Sequence, residues 1–443
     1  MSSTISDTNE IKSWYLSNFE AFENSLNGSA AMPFHDVRKA AIARFETLGF
    51  PGKRDEEWKY TPVSPILKHK FVVDAPTSSI TAAEVERLSF NSLTNYRVVL
   101  VNGQFSPELS HFDPPEGVVI GSLAEMLANK SALIDQFLSK VADFSAEPFT
   151  ALNTAFTHDG VFIYIPDGVV LEAPIQMLYL SDARNGAFFA SPRNLIVAGK
   201  SAEVKIVEKY AALNEDDVYF NNGVTEVLLH QNAKIEHVRV QDESLSAYHI
   251  KNLHVYQEKD SNFTLINIDI GGRLVRNNFN MKLDDVNCEG HLIGAYMATG
   301  RQHIDNHTAI DHAKPNCFSN EIYKGILGGK ARGVFNGKIF VREDAQKTNA
   351  YQDNKALLLS DDAQINTKPQ LEIFADDVKC SHGATVGQLD EEALFYLRSR
   401  GIPKDKANSM LHYAFVCEAL DYVTIEEVRD ALDELLLAHF SKL

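Results

Sequence analysis

A cysteine and a histidine stand one residue apart in the run Lys379-Cys380-Ser381-His382-Gly383, just before a strongly helical segment. In an extended strand, residues i and i+2 project from the same face, so the Cys380 thiol and the His382 imidazole would point the same way. Zinc and iron–sulfur centres use such ligands but usually take four of them from protein. The pair therefore predicts half of a soft-metal site. The alternative is that Cys380 packs as a small apolar residue beside a hydrogen-bonded His382.

A second cluster of metal-ligating residue types comprises His303, Asp305, His307, Asp311 and His312, with Cys317 just beyond. In a strand, His303, Asp305 and His307 alternate onto one face, which a metal ion could use. The alternative is a ladder of hydrogen-bonded polar side chains along a sheet wall or a dimer interface. The spacing leaves both interpretations open.

Motifs for nucleotide or hydrolytic chemistry are missing from the chain. The run Gly325-Ile326-Leu327-Gly328-Gly329-Lys330 lacks the Ser or Thr that follows the lysine of a phosphate-binding loop, and it is typical of a turn. No Gly-x-Ser-x-Gly or His-Glu-x-x-His run occurs. These absences argue against nucleotide hydrolysis and against the two hydrolytic mechanisms that those motifs serve.

The charge and composition of the chain limit the kinds of partner that it can bind. The 443 residues include 42 Lys and Arg against 60 Asp and Glu, a net charge of −18, so the overall field repels nucleic acid and anionic membrane surfaces. The first residues lack a basic stretch followed by an apolar one, and no apolar run is long enough to span a bilayer. We expect a cytoplasmic protein with neither nucleic acid nor membrane as a partner. Its four cysteines are too widely spaced for a disulfide framework.

The hydrophobic period divides the chain into three predicted domains. Residues 1–150 are mainly helical, with apolar residues at helical spacing between Ile11 and Leu48 and a strand at Tyr96–Val101. Residues 151–387 consist of short β-rich runs separated by Gly, Asn, Asp and Ser, without a helix of normal length. Residues 388–443 return to the helical period and predict three helices.

A turn followed by a strand recurs through the β-rich region, at 199–204, 231–235, 259–263, 328–332 and 361–365. Recurring short strands over such a length predict a mainly β fold of stacked rungs, a β-solenoid, rather than a closed sandwich. Each rung of a solenoid buries its face only against its neighbours, so its two ends need caps. We expect the helical regions at both ends of the chain to supply them.

An ordered series of motifs runs through most of the chain: Trp58-Lys59-Tyr60-Thr61, His303 to Thr308, Tyr323-Lys324-Gly325, Gly333 to Gly337, Ala345 to Thr348, Leu357 to Ser360, Pro369 to Ile373, Asp376 to Gly387 and Leu394 to Gly401. On these motifs the chain resembles the SufB/SufD family of the SUF iron–sulfur cluster assembly system. Within the family, Gly383 is typical of the SufD branch, since the SufB branch usually carries glutamate there. The SufB paralogue itself is the nearest alternative, and a β-helix enzyme acting on polysaccharide is the rival from another class.

The resemblance implies a right-handed parallel β-helix between helical regions, in a scaffold subunit without catalytic activity. It implies a heterodimer with a SufB-like paralogue and docking of a SufC-like ATPase on the C-terminal helices. It also implies that a nascent Fe–S cluster forms at the SufB–SufD interface, with His382 as a ligand and Cys380 as a second candidate. No cofactor is expected to bind tightly to the isolated chain. Flavin binding by the complex and a homodimer of the isolated chain stay open.

Overall fold

The computed structural model describes residues 3–26, 34–73, 78–129 and 131–440. The helices of this part of the chain are α1 (Ser3–Ser25), α2 (Phe34–Leu48), α3 (Ala82–Leu88), α4 (Leu123–Ala128), α5 (Ala132–Phe137), α6 (Pro148–Ala155), α7 (Glu391–Ser399), α8 (Lys404–Val416) and α9 (Glu426–Phe440). Short 3-10 turns occupy Glu56–Trp58, Ile66–Lys68 and Cys417–Tyr422. No helix of the described ranges is long and apolar enough to cross a membrane.

The strands supply most of the ordered structure. They are β1 (Tyr96–Val101), β2 (Gln104–Phe105), β3 (His111–Phe112), β4 (Val119–Ser122), β5 (Val161–Ile165), β6 (Ile175–Ser181), β7 (Phe189–Ala190), β8 (Arg193–Ala198), β9 (Glu203–Ala212), β10 (Phe220–Leu229), β11 (Lys234–Asp242), β12 (Tyr248–Gln257), β13 (Asn262–Asp269), β14 (Leu274–Leu283), β15 (Glu289–Ala298), β16 (His303–His312), β17 (Phe318–Leu327), β18 (Arg332–Val341), β19 (Asn349–Leu358), β20 (Gln364–Ile373) and β21 (Lys379–Gly387).

Two long sheets share these strands alternately. The first sheet runs β2-β1-β6-β9-β11-β13-β15-β17-β19-β21, and the second runs β4-β5-β8-β10-β12-β14-β16-β18-β20. From β5 onward the pairing is parallel, so the chain winds from one sheet to the other and back in each rung. About eight turns lie between residues 162 and 387. The predicted parallel β-solenoid is confirmed.

A left-handed residue makes the same turn before successive strands of the first sheet. Asn232, Asp260, Asn287 and Asn316 have φ between 58° and 62°, a conformation that Asn and Asp tolerate better than most side chains. Each of their backbone N–H groups donates to a carbonyl of the next rung, as from Asn232 to Lys259 at 2.8 Å. The recurring turns in the sequence therefore reflect the repeat that stacks the rungs.

The N-terminal helices pack on the early rungs of the solenoid. The two amphipathic helices predicted between Ile11 and Leu48 are confirmed as α1 and α2. Tyr15 and Phe45 form one aromatic cluster with Phe156 and Phe189. The strand predicted at Tyr96–Val101 is confirmed as β1, which pairs in parallel with β6 and so extends the first sheet.

The three predicted C-terminal helices are confirmed as α7, α8 and α9, but they do not cap the end of the solenoid. Buried residues of α8, α9 and the turn between them pack against the outward-facing row Val238, Ile266 and Ile293 of the first sheet. The expectation of a C-terminal cap is wrong because this apolar row lies on the side of the middle rungs and draws the helices there. The last rung is left open.

Candidate functional site

Cys380 and His382 lie in β21, the last strand of the first sheet. The parallel register with β19 places Cys380 beside Ala350 and His382 beside Gln352. Within the described chain, no strand pairs with the other edge of β21. The pair therefore occupies the final rung of the solenoid.

The register shows which way these two side chains face. Gln352 is paired with Glu321 in β17, both side chains are buried, and the Gln352 amide donates to the Glu321 carboxylate at 2.6 Å. Because in-register residues of parallel strands share a face, His382 and Cys380 continue the interior of the solenoid. No rung of the described residues lies above them, and accordingly His382 is exposed and Cys380 is half-buried.

The chemistry of the pair is that of an incomplete ligand set. Burial raises the pKa of the Cys380 thiol, against a smaller opposing effect of the Ala350 backbone. A soft metal would have to displace the thiol proton, because the thiolate is the ligand. In the described ranges, no group of three or more His, Cys, Asp or Glu side chains is arranged to hold a metal ion. Two donors on one strand leave at least two positions of a tetrahedral centre for ligands from elsewhere.

Exposed apolar side chains lie on the last rung with the pair. β20 contains no buried residue, and Ile373, Phe374 and Val386 are exposed, Phe374 to 59%. Pro369 in β20 has no backbone N–H to donate, a residue that sheets accept mainly on edge strands. An uncovered strand edge with apolar side chains beside it is typical of a protein-binding surface.

Three members of the second predicted cluster, His303, Asp305 and His307, lie on the outer face of β16, where residues 56–61 cross the second sheet. The Thr61 hydroxyl is 2.9 Å from His303 Nε2 and also donates to Asp305. Arg276 Nη1 donates to Asp305 Oδ2 at 2.6 Å, and His307 Nε2 lies 3.1 Å from Asp305 Oδ1. Of the two interpretations left open by the spacing, the structure shows the hydrogen-bonded polar ladder.

Burial and ion pairing set the charges of this network. Burial alone would raise the pKa of the Asp305 carboxyl, but the Arg276 guanidinium together with His307 and His303 outweighs it, and the pKa lies well below its usual range. Burial lowers the pKa of His303 to about 4, so this imidazole is neutral at neutral pH. The Arg276 guanidinium also lies 4.3 Å from the centre of the Trp58 ring, in a cation–π contact. These contacts therefore hold the Trp58-Lys59-Tyr60-Thr61 segment against the second sheet of the solenoid.

The remaining members of the sequence cluster lie apart from this network. His312 is on the opposite face of β16, with Nε2 2.8 Å from the Ser319 hydroxyl. Asp311 pairs with Arg342 at 2.6 Å near the surface. Cys317 is buried in the turn before β17, and all four cysteines of the chain are free. Strand alternation thus separates His312 from His303 and Asp305, whereas distance along the chain separates Asp311 and Cys317 from them.

A buried ionic network inside the solenoid was not predicted. Lys251 Nζ lies 2.5 Å from Glu208, and Arg239 Nη1 lies 2.9 Å from Asp269. Burial lowers the pKa of Lys251 to about 8, although Glu208 opposes this. The run from His237 to Val240 alternates polar and apolar residues, but its apolar side chains, Val238 and Val240, face outward and are covered by the C-terminal helices. The sequence shows that polar and apolar residues alternate, but it does not show which of the two faces points into the solenoid.

Comparisons with known proteins match nearly the whole chain to one protein family. Residues 179–415 match the family model described as "SUF system FeS cluster assembly, SufBD core domain", and residues 9–177 match "SufBD protein N-terminal region". An iron–sulfur cluster assembly SufBD family protein of Synechocystis is 36% identical over 403 residues, covering 89% of this chain and 88% of that protein. The iron–sulfur cluster assembly protein SufD of Escherichia coli is 30% identical over 383 residues, covering 86% and 87%. SufD of Bacillus subtilis is 28% identical over 410 residues, covering 90% and 92%.

Proposed function

We propose a function from the premise that this chain belongs to the SufBD family of the SUF iron–sulfur cluster assembly system, as its two matched regions and its relatives show. In this proposal the chain is a SufD-type scaffold without catalytic activity of its own. It pairs with a SufB-like paralogue and carries a SufC-like ATPase. The nascent Fe–S cluster is the cargo, assembled where the two paralogues meet.

The observation that carries this proposal is the open last rung with its two soft donors. Cys380 and His382 face the continuation of the interior, yet nothing in the described chain covers them. Ligands from a second protein would complete the set while covering the apolar side chains of Ile373, Phe374 and Val386. A cluster bound at such a shared site is released when the partners separate, which suits an assembly scaffold.

A partner that itself ends in parallel strands fits this surface best. Both β20 and β21 present an unpaired edge among the described strands, and strand addition to such an edge supplies backbone hydrogen bonds. A SufB-like paralogue would bring a similar pair of edges. The same edges could join two copies of this chain, so a homodimer is the competing assembly when the paralogue is missing.

Gly383 favours the SufD role over the SufB role. A β-carbon added at Gly383 would lie 3.4 Å from the Asp353 carboxylate oxygen. The glutamate typical of the SufB branch would therefore extend from a position next to another carboxylate, and like charges side by side on neighbouring strands are destabilising. The local structure suits the glycine that this chain has.

The C-terminal helices offer a separate surface for the ATPase. α7 has no buried residue, and its Phe395 and Tyr396 side chains are 73% and 55% exposed. α8 and α9 are fixed on the first sheet through their apolar residues, so α7 projects from a rigid support. Exposed aromatic residues on a helix are common anchors in protein interfaces.

The test uses the chain reconstituted with a SufB-like and a SufC-like protein, an iron source and a sulfide donor. We expect His382→Ala to lower the yield of cluster by at least about tenfold, because losing a ligand should cost no less than losing a ligand's hydrogen-bond partner. His111→Ala, at an exposed histidine of β3, is the matched control. Assembly of the three proteins should persist in both variants. A full yield of cluster from His382→Ala would refute the assignment of this residue.

A further inference from the structure

A cavity of about 490 Å³ lies between residues 49–58 and the outer face of the second sheet, away from the last-rung pair. Its roof is the segment that carries Glu57 and Trp58, and Glu147 and Pro148 at the start of α6 form one wall. Its floor consists of outward-facing side chains of β12, β14, β16 and β18, among them Asn252, Asn278, Ala309 and Asn336. The proposed scaffold role does not use this cavity.

Most charges around the cavity already have partners. Arg276 pairs with Asp305 at 2.6 Å, and Glu57 lies 3.4 Å from His307. At the rim, Glu56 pairs with Lys368 and Glu372 with Lys338. Asp55 and Glu147 also line the cavity, and neither forms an ion pair with another described residue.

A chain of hydrogen bonds across the floor ends in a donor without an acceptor. Arg276 Nε donates to Asn278 Oδ1 at 2.7 Å, and Asn278 Nδ2 donates to Asn252 Oδ1 at 2.9 Å. A guanidinium can only donate, so it fixes the orientation of both amides in turn. Asn252 Nδ2 is left without a partner although Asn252 is only 1% exposed. A buried donor without an acceptor is costly.

The wall presents the complementary acceptor. Glu147 Oε2 accepts a hydrogen bond from the Thr150 backbone N–H at 2.5 Å, while Glu147 Oε1 is buried without a partner. Burial raises the pKa of this carboxyl. The Trp58 ring is no stacking platform, because Arg276 and Phe149 already lie against it at 4.3 and 5.0 Å. Glu147 and Asn252 are therefore the groups that a ligand would satisfy.

We propose that this cavity binds a small molecule through a primary carboxamide or an equivalent lactam edge. The N–H of the ligand donates to Glu147 Oε1, and its carbonyl oxygen accepts from Asn252 Nδ2. The volume is within the range of small-molecule sites. A carboxylate ligand would satisfy Asn252 but oppose Glu147 at a pH at which Glu147 is ionised, so the site then discriminates between an amide and the corresponding acid.

Benzamide and benzoate are suitable probes, because they have the same shape and differ in the one group that matters. The full-length chain is titrated with each compound at neutral pH, and binding is followed by the NMR signals of the compound. We expect saturable binding of benzamide and at least about tenfold weaker binding of benzoate, the usual effect of one lost or opposed hydrogen bond to a charged group. No saturable binding of benzamide would overturn the proposal.

Glu147→Gln tests the geometry of recognition. The Thr150 N–H holds the new carbonyl oxygen in place of Oε2, so the amide nitrogen replaces Oε1 and the wall offers a donor instead of an acceptor. Benzamide should then bind about tenfold more weakly, and benzoate should become the preferred compound. Glu116→Gln changes the net charge equally at an exposed residue outside the cavity and should leave both affinities unchanged. An unchanged preference in Glu147→Gln would contradict the assigned contacts.

A second variant guards against misfolding as the cause of lost binding. Ala309 on the floor is only partly buried, so Ala309→Phe can fill the cavity without entering the solenoid interior. This variant should keep a cooperative thermal unfolding transition and lose benzamide binding. Persistent binding would place the amide elsewhere on the protein. The experiment needs no partner protein, so its result is independent of the proposed scaffold role.

Discussion

Two runs of the chain combine histidine with another metal-ligating residue at the same alternating spacing, and their environments differ completely. On β16, His303, Asp305 and His307 face a covering segment that supplies Thr61 and Glu57 as partners. On β21, Cys380 and His382 face the same way as buried residues of the preceding rung, but no further rung of the described chain covers them. In a solenoid, a polar pair therefore remains available for external chemistry where the stacking of rungs ends.

The comparison predicts opposite consequences of substitution in the two runs. In the covered run, Arg276→Met removes the cation and leaves the buried Asp305 carboxylate with only its His307 and Thr61 contacts. We expect the free energy of unfolding to fall by about 3–5 kcal/mol, the usual cost of breaking a buried ion pair on one side. Urea unfolding followed by circular dichroism measures it.

The double variant Arg276→Met with Asp305→Asn is the control for this interpretation. Because it removes both charges, it should recover part of the lost stability. His382→Ala on the open rung should change the free energy of unfolding by no more than about 0.5 kcal/mol, as for most exposed residues. If His382→Ala proved as destabilising as Arg276→Met, the contrast between the covered and the open run would fail.

The pH dependence of stability sharpens the same contrast. An unfolded histidine titrates near pH 6.5, whereas burial lowers the pKa of His303 in the folded protein to about 4. The unfolded state therefore binds more protons between these values, so the stability due to His303 is complete above about pH 6.5 and is lost as the pH falls toward 4. When the pH falls from 7 to 4.5, the free energy of unfolding should therefore decrease by about 2 kcal/mol less in His303→Gln than in the native sequence.

The measurement compares urea unfolding at the two pH values for the native sequence and the variant. His312, buried on the opposite face of the strand, also has its pKa lowered by burial to about 4. His312→Gln should therefore reduce the acid sensitivity by a similar amount. An acid sensitivity unaffected by either substitution would mean that these histidines accept protons in the folded protein without opening the network.

Much of the architecture could be predicted from the sequence, because solenoid turns recur with a visible residue preference. Asn232, Asp260, Asn287 and Asn316 occupy the left-handed position that those residue types favour, and the strands follow them directly. The placement of the C-terminal helices could not be predicted. It depends on the outward apolar row through Val238, which becomes a row only after the strands are in register.

The residues of the candidate site could be predicted from the sequence, but their position on an uncovered last rung could not. The spacing of Cys380 and His382 indicates a shared face, whereas the absence of a covering rung follows from the order of strands in the sheets. For the cluster around His303, the spacing could not choose between a metal site and a polar ladder. The partners that decide it, Thr61 and Arg276, are distant in sequence.

The smallest predicted effect concerns the turn that leads into β19. There the left-handed position, with φ of 60°, is occupied by Lys347, whereas the earlier turns have asparagine or aspartate. An asparagine tolerates this conformation better, and the Lys347 side chain is exposed, so Lys347→Asn should stabilise the protein by about 0.5 kcal/mol. The reciprocal Asn287→Lys should destabilise it by more than that, because it also removes the hydrogen bond from Asn287 Nδ2 to Asp260 at 3.0 Å. Equilibrium urea unfolding detects both. If Lys347→Asn stabilises the chain and association with a partner is unchanged, the stability of the turn before β19 does not control how exposed the last rung is. The exposure then follows from the lack of a further rung among the described residues.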